Sequence, residues 1–187
     1  REVEKIPGVE AATNSTTYLG FDNSTESYNI KGREASQNYL FATNYVDYEF
    51  MSAYKFRLAD GAGRFFDQSN GSDTSAVLIN RAAMREYGIT DPLGTIILES
   101  SLEGDTNMLQ VIGVVEDFHH NSLKDPVGPY MIRYKPENIG RAGYITIRLG
   151  VAGKGLPSTI EKIRKTWAAM SNDAPFQLFF LDEELDN

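Results

Sequence analysis

The residues with the most chemical potential stand together in Glu116-Asp117-Phe118-His119-His120. A carboxylate beside an imidazole can exchange protons with a substrate. His119 and His120 are also the chain's only histidines. The cluster has no evident third member, however, and no nucleophile tied to it. Two consecutive histidines on a strand point to opposite faces, so one metal ion is not easily gripped by both. The plainer reading is a strand ending in a polar turn, with Asp117 bonded to local backbone amides. A hydrolase or lyase built on Asp117 and His119 stands beside it as an alternative.

Other groups offer less. Gly61-Ala62-Gly63-Arg64 has the texture of a phosphate loop, but the fuller glycine-rich fingerprints are missing and no helix follows directly. A tight turn needing positive φ accounts for it. Asn14-Ser15-Thr16, Asn23-Ser24-Thr25 and Asn70-Gly71-Ser72 match glycosylation sequons, tripeptides that are common by chance. The acidic end, Asp182-Glu183-Glu184 with Asp186, could hold a divalent cation through oxygen ligands or form a solvated junction. Tyr39, Phe41, Tyr45, Tyr48, Phe50 and Tyr54 read as core, since their spacing follows a strand and then a helix. With no cysteine there is no disulfide framework, thiolate nucleophile or cysteine metal site. No catalytic, cofactor-binding or metal residue is assigned, and no cofactor.

The bulk properties narrow the function further. A chain of 187 residues, 41% apolar and 11% aromatic, suffices for one domain or two interleaved subdomains with a real core. Its net charge of −8 argues against nucleic-acid binding, which draws on basic stripes. The longest apolar runs are at 75–79, 111–115 and 176–181. None approaches the roughly 20 residues that span a bilayer, so the segment reads as soluble. No signal peptide is visible. Both ends look like cut boundaries, beyond which membrane segments would lie.

The elements that must position these residues follow from pattern. A turn at Pro7-Gly8 leads to a strand from Ala12 to Phe21. Ser27 to Gly32 reads as its hairpin partner and Asn38 to Thr43 as a third strand. Val46, Phe50, Met51 and Tyr54 then follow a helical period, with Asn44 as the cap. The apolar run Ala76-Val77-Leu78-Ile79 fits a buried strand. Asn80 caps a helix over 81–87 that ends at Gly88. Strands follow at 95–98, 109–115, 130–134 and 144–149. Ser158 and Glu161 form a capping box for a helix whose Ile160, Ile163, Trp167 and Met170 share a face. Pro175 opens a last strand over 176–181. Strands and helices in alternation make the chain α+β, closing with a β-α-β unit.

Several fragments, taken in order, carry a resemblance. Val111-Ile112-Gly113-Val114-Val115-Glu116-Asp117-Phe118-His119, followed by Ser122-Leu123 and Pro126, is similar to a phrase of the MacB/FtsX-like ABC-transporter permeases. Ile6-Pro7-Gly8-Val9 resembles the family's "I-P-G-V" after its first membrane helix. Leu58 with Gly63-Arg64-Phe65-Phe66, Val77-Leu78-Ile79-Asn80 with Ala83 and Gly88, Pro92-Leu93-Gly94, and Phe180-Leu181-Asp182-Glu183 also resemble family phrases. The likeness spans nearly the whole chain. Gly61-Ala62-Gly63 stretches one motif, and Glu116 stands where a Lys is common.

The resemblance implies a non-catalytic extracytoplasmic domain between the first and second transmembrane helices of a bacterial permease. Residues 1–74 and 143–187 would form a porter-like subdomain, and 75–142 an inserted α/β subdomain. The partners implied are the permease's own transmembrane helices, a separate cytoplasmic ATPase, a second permease protomer, and a periplasmic partner or peptide or lipoprotein cargo. The domain would bind no ATP, in keeping with the missing Walker sequence. ATP-driven motion below the membrane would be passed outward for export or signalling, with Pro7, Gly8 and residues 181–185 as coupling points. The alternative is a secreted or periplasmic ligand-binding module.

Overall fold

Period-two patterning builds most of the molecule. The computed structural model describes residues 2–20, 24–69, 71, 73–100, 105–121, 123, 125–135, 143–150, 153–171 and 175–181. Among these residues nine strands join in one sheet: β1 (Val9–Ser15), β2 (Thr25–Ile30), β3 (Tyr39–Val46), β4 (Leu58–Gly63), β5 (Ala76–Asn80), β6 (Ile96–Ser100), β7 (Thr106–Val115), β8 (Tyr130–Tyr134) and β9 (Tyr144–Leu149). Helices α1 (Phe50–Ala53), α2 (Arg81–Tyr87) and α3 (Leu156–Met170) lie between and after them. The mixed class agrees with the α+β expectation. No helix among the described residues is long and apolar enough to cross a membrane.

Six strands close on themselves. β2 pairs antiparallel with β3, and β3 pairs parallel with β8. β8 is antiparallel to β5, which is parallel to β7. β7 is antiparallel to β6, and β6 returns antiparallel to β2. So small a barrel has room inside only for side chains. Alternate residues fill it. Tyr28, Ile30, Phe41, Val77, Ile79, Ile97, Leu109, Val111 and Met131 are all buried in one cluster. α2 closes one end, with Ala83, Met84 and Tyr87 packed against that cluster and Tyr87 edge-on to Tyr39 and Phe41. The outward faces of β3, β5 and β8 are apolar too. There Val46, Leu78, Tyr130 and Ile132 pack with Phe50 of α1 and Phe66. This double burial is why β5 is an unbroken apolar run.

β1 pairs with β3 at Ser15 opposite Val46 and lies antiparallel to β9 from Val9 to Ser15. The two chain ends thus share a unit of their own, β1, β9 and α3. Hydrogen bonds cross the boundary expected at residue 75, since β2, β3 and β4 pair with β6, β8 and β7.

Several local expectations are corrected. The hairpin partner of β2 is β3, not β1, with Tyr28 opposite Tyr39. β1 ends at Ser15 rather than Phe21. Asn44 caps no helix: β3 runs on to Val46 and α1 is one turn. The buried Asn44 amide bonds across to Thr16 and Thr17 instead, so its polar group is satisfied within a strand. Gly61 and Gly63 lie in β4, an irregular neighbour of β7. Gly63 has φ +88°, and a Cβ there would sit 2.0 Å from the Ile112 carbonyl oxygen, so the close approach of β4 to β7 requires glycine. Ser158 lies inside α3, which starts at Leu156 with Pro157 in its first turn and Gly155 at the N-cap position. Residues 175–180 form no strand.

Candidate functional site

The Asp117 cluster is built on the N-terminal end of α2. Asn80 starts that helix, its Oδ1 accepting from the Ala83 amide at 3.0 Å, and Gly88 ends it at φ 59°. β7 delivers Glu116 and Asp117 alongside. Asp117 Oδ1 accepts from the Ala82 amide at 2.7 Å, and Oδ2 pairs with Arg85 at 2.7 Å. Glu116 takes the Arg81 guanidinium in a two-bonded fork at 2.7 and 3.0 Å, which holds its carboxyl below the usual range. Both carboxylates therefore serve the helix start, where negative charge is favoured.

The histidines part company. His119 is exposed, whereas His120 is buried with its ring 4.6 Å from that of Tyr130. Its Nδ1 lies 3.2 Å from Asn121 Oδ1, and burial pushes its pKa below the usual value. Among the described residues no group of three His, Asp or Glu side chains is placed to hold a metal. The acidic residues 182–186 lie outside the described residues. The arrangement around Asp117 secures a helix, and no described feature of it assembles a reaction centre.

A second polar constellation closes the barrel end opposite α2. Arg133, its side chain 3% exposed, forks onto Glu99 and reaches the Tyr28 hydroxyl at 3.3 Å. Tyr28 donates to Glu26 at 2.6 Å and Tyr45 donates to the same carboxylate at 3.0 Å. Burial pushes Tyr28 up to about 12 and Tyr45 upward as well, so both phenols remain donors. The Arg133 hydrogen bond holds Glu99 below its usual value. A charge this deep needs such partners.

The most distinctive geometry lies where the first and last strands meet. Gly8, at φ 94°, offers its carbonyl to the Gly150 amide at 2.9 Å. The Pro7 carbonyl accepts from the Thr159 hydroxyl of α3 at 3.3 Å. The segment leading into β1 is thus fastened to the end of β9 and to α3. From β9, Arg148 pairs with Glu10 at 3.1 Å and donates to the Ser52 and Ala53 carbonyls at 2.9 and 2.7 Å, serving the C-terminal end of α1. Tyr54 and Thr146 share a hydroxyl–hydroxyl bond of 2.8 Å.

The joint to the barrel is polar and buried. Asp47 Oδ1 accepts from the Thr13 hydroxyl at 2.5 Å, and Oδ2 from the Asn14 amide at 2.5 Å. Asn44 binds Thr16 and Thr17 from the adjacent turn. Sequence reasoning did not single out Asp47. Its signal was Thr13 in β1, a polar side chain at a buried strand position, which demands a buried partner. On the far face of β9 lies a groove of about 360 Å³, bounded by Tyr18, Ile147, Ile163, Trp167, Phe176 and Phe179.

No family model matches the sequence. No curated protein matches it either. Solved structures do. A domain of a permease protein from Porphyromonas gingivalis aligns over 98% of this chain and 85% of its own, with TM-score 0.58 and 23% identity. The periplasmic region of MacB from Actinobacillus actinomycetemcomitans aligns over 90% and 72%, with TM-score 0.58 and 16% identity. This chain has the MacB-type periplasmic fold. The extracellular domain of YknZ, a noncanonic ABC-type transporter from Gram-positive bacteria, aligns over 84% and 74%, with TM-score 0.55 and 20% identity. Within that shared fold, this chain's own hydrogen bonds fasten Pro7 and Gly8 to α3 and to the end of β9.

Proposed function

We propose that this chain is the non-catalytic extracytoplasmic domain of an ABC-transporter permease, passing transmembrane motion outward for export or signalling. One observation carries the reading. The domain's fold is shared with extracytoplasmic domains of such permeases, and both chain ends enter the same small unit. Displacement of either end acts first on β1, β9 and α3. From there it reaches the barrel through Asp47 and Asn44. The unit would then move as a rigid body against its neighbours. In this reading the ends supply the porter-like part, 1–74 with 143–187, and residues 75–142 the inserted part, with β2, β3 and β4 paired across the seam. The partners are the permease's own helices, a cytoplasmic ATPase, a second protomer, and an outer partner or cargo.

The first test is to read the native coding region beyond both ends. Apolar stretches of about 20 residues close on either side support the permease. A signal peptide upstream with a stop codon after Asn187 overturns it in favour of a secreted or periplasmic binding module. The second test inserts Gly-Ser-Gly between Pro7 and Gly8 in the full-length protein. The insertion slackens the fastening and leaves the barrel intact. The expected outcome is failure to complement a deletion strain, with unchanged melting of the domain. Full complementation would remove Pro7 and Gly8 as coupling points.

A further inference from the structure

β9 has an open edge. Its other edge is taken by β1, and no described strand lies beyond it. In such a pair the backbone groups alternate in direction, so half of those on β9 face away from β1. Proteins blunt an edge like this with outward charges, prolines or bulges. β9 has one charged residue, Arg148, and its guanidinium is drawn aside to Glu10 and α1. The bulge in the pair falls on β1, between Val9 and Ala11. The edge is therefore unprotected by its own residues.

Across the groove runs Pro175-Phe176-Gln177-Leu178-Phe179-Phe180-Leu181, a segment rich in strand-favouring aromatic residues. It takes no strand conformation, and Leu178, Phe179 and Phe180 are 47%, 40% and 37% exposed. Three consecutive large apolar side chains left partly in water are costly. The segment already has footholds at the edge. The Phe179 ring lies 4.4 Å from that of Tyr18 and 6.2 Å from that of Tyr144. Phe176 lies 6.5 Å from Trp167, with the Arg164 guanidinium 5.3 Å from its ring centre. The route is also right. Parallel neighbours need a crossover of a dozen residues or more, usually a helix, and the 15-residue α3 supplies it between β9 and the segment.

We propose that residues 176–181 form a strap with two positions: the undocked one observed, and one in which they add to the open edge of β9 as a parallel tenth strand. Docking satisfies the outward half of the β9 backbone and removes the exposed apolar run. It also moves the point at which the chain leaves the unit.

Amide hydrogen exchange on the 187-residue chain tests this. The alternate amides of Tyr144–Leu149 that face away from β1 are expected to be protected. Leu178→Pro and Phe179→Pro are read beside the parent. Neighbouring residues of a strand send their amides to opposite sides, so one of the two prolines must remove a ladder donor in any register. That variant loses the protection while the amides of Val77–Ile79 in the barrel keep theirs. If a proline disturbs the barrel, a chain ending at Ser171 replaces it. Rapid exchange of the outward β9 amides in the parent, or protection unchanged by both prolines and by the shortening, overturns the strap.

Discussion

Arg133 carries a charge that water barely reaches, and Glu99 is what makes this tolerable. Removing one partner of a buried pair costs more than the pair itself contributes, because the other charge is stranded. Glu99→Gln should therefore destabilise the domain by about 3 kcal/mol, measured by chemical denaturation at neutral pH. The pH dependence has a defined sign. Glu99 is held below its usual 4.5 when folded, so the unfolded chain takes up its proton first. The contribution is complete above about pH 4.5 and drains away as pH falls through the lower folded value. His120 acts in the same sense from a higher pH. Burial lowers its pKa from 6.5, so protonation favours the unfolded chain once pH drops below that value. Stability should fall on acidification, and Glu99→Gln should flatten the acid limb. An acid limb as steep in the variant as in the parent would remove Glu99 from the account.

At the scale of elements, α2 hangs on one buried amide. Asn80 accepts from Ala83 and from the Tyr130 amide, and donates to the Gly128 carbonyl. Asn80→Ala strands those three groups as well as losing the cap. A loss of about 2 to 4 kcal/mol is expected by denaturation, against the roughly 1 kcal/mol of a surface cap. A loss near 1 kcal/mol would mean that the strand contacts count for little. This cap was legible in the sequence, together with β5, β8 and β9, because each sits between unambiguous stops: an asparagine, a glycine or a proline. Pairing was not legible. Nothing local distinguishes a β1–β2 hairpin from the observed β2–β3 hairpin, since the choice rests on which inward residues fill the barrel. Asn44 reads as a cap because asparagine favours one. Its burial beside Thr16 and Thr17 depends on a turn nearly thirty residues earlier. The candidate chemistry at Asp117 was legible as a turn carboxylate bonded to backbone, though not as a carboxylate serving α2, because Ala82 and Arg85 lie more than thirty residues away in sequence.

The whole molecule is a closed barrel with a small appendage, and the joint between them is mostly hydrogen bonds. Asp47→Ala takes out the two bonds from Thr13 and Asn14. The expected result is local: the appendage opens at lower denaturant than the barrel. Trp167, the single tryptophan, lies on α3 and reports the first step by fluorescence, while tyrosine signals report the second. Coincident transitions would mean that the two parts remain one cooperative unit without Asp47. The connectivity bears also on how the chain is made. The barrel strands all lie between Thr25 and Tyr134, whereas Val9 must find Leu149. During synthesis the barrel can close before β9 has emerged. β1 then waits with Thr13, which the finished molecule buries, still open to water. Contacts between distant positions form late, so the appendage is the last part of the chain to become ordered. A newborn copy thus has its rigid body before it has the handle by which it would be moved.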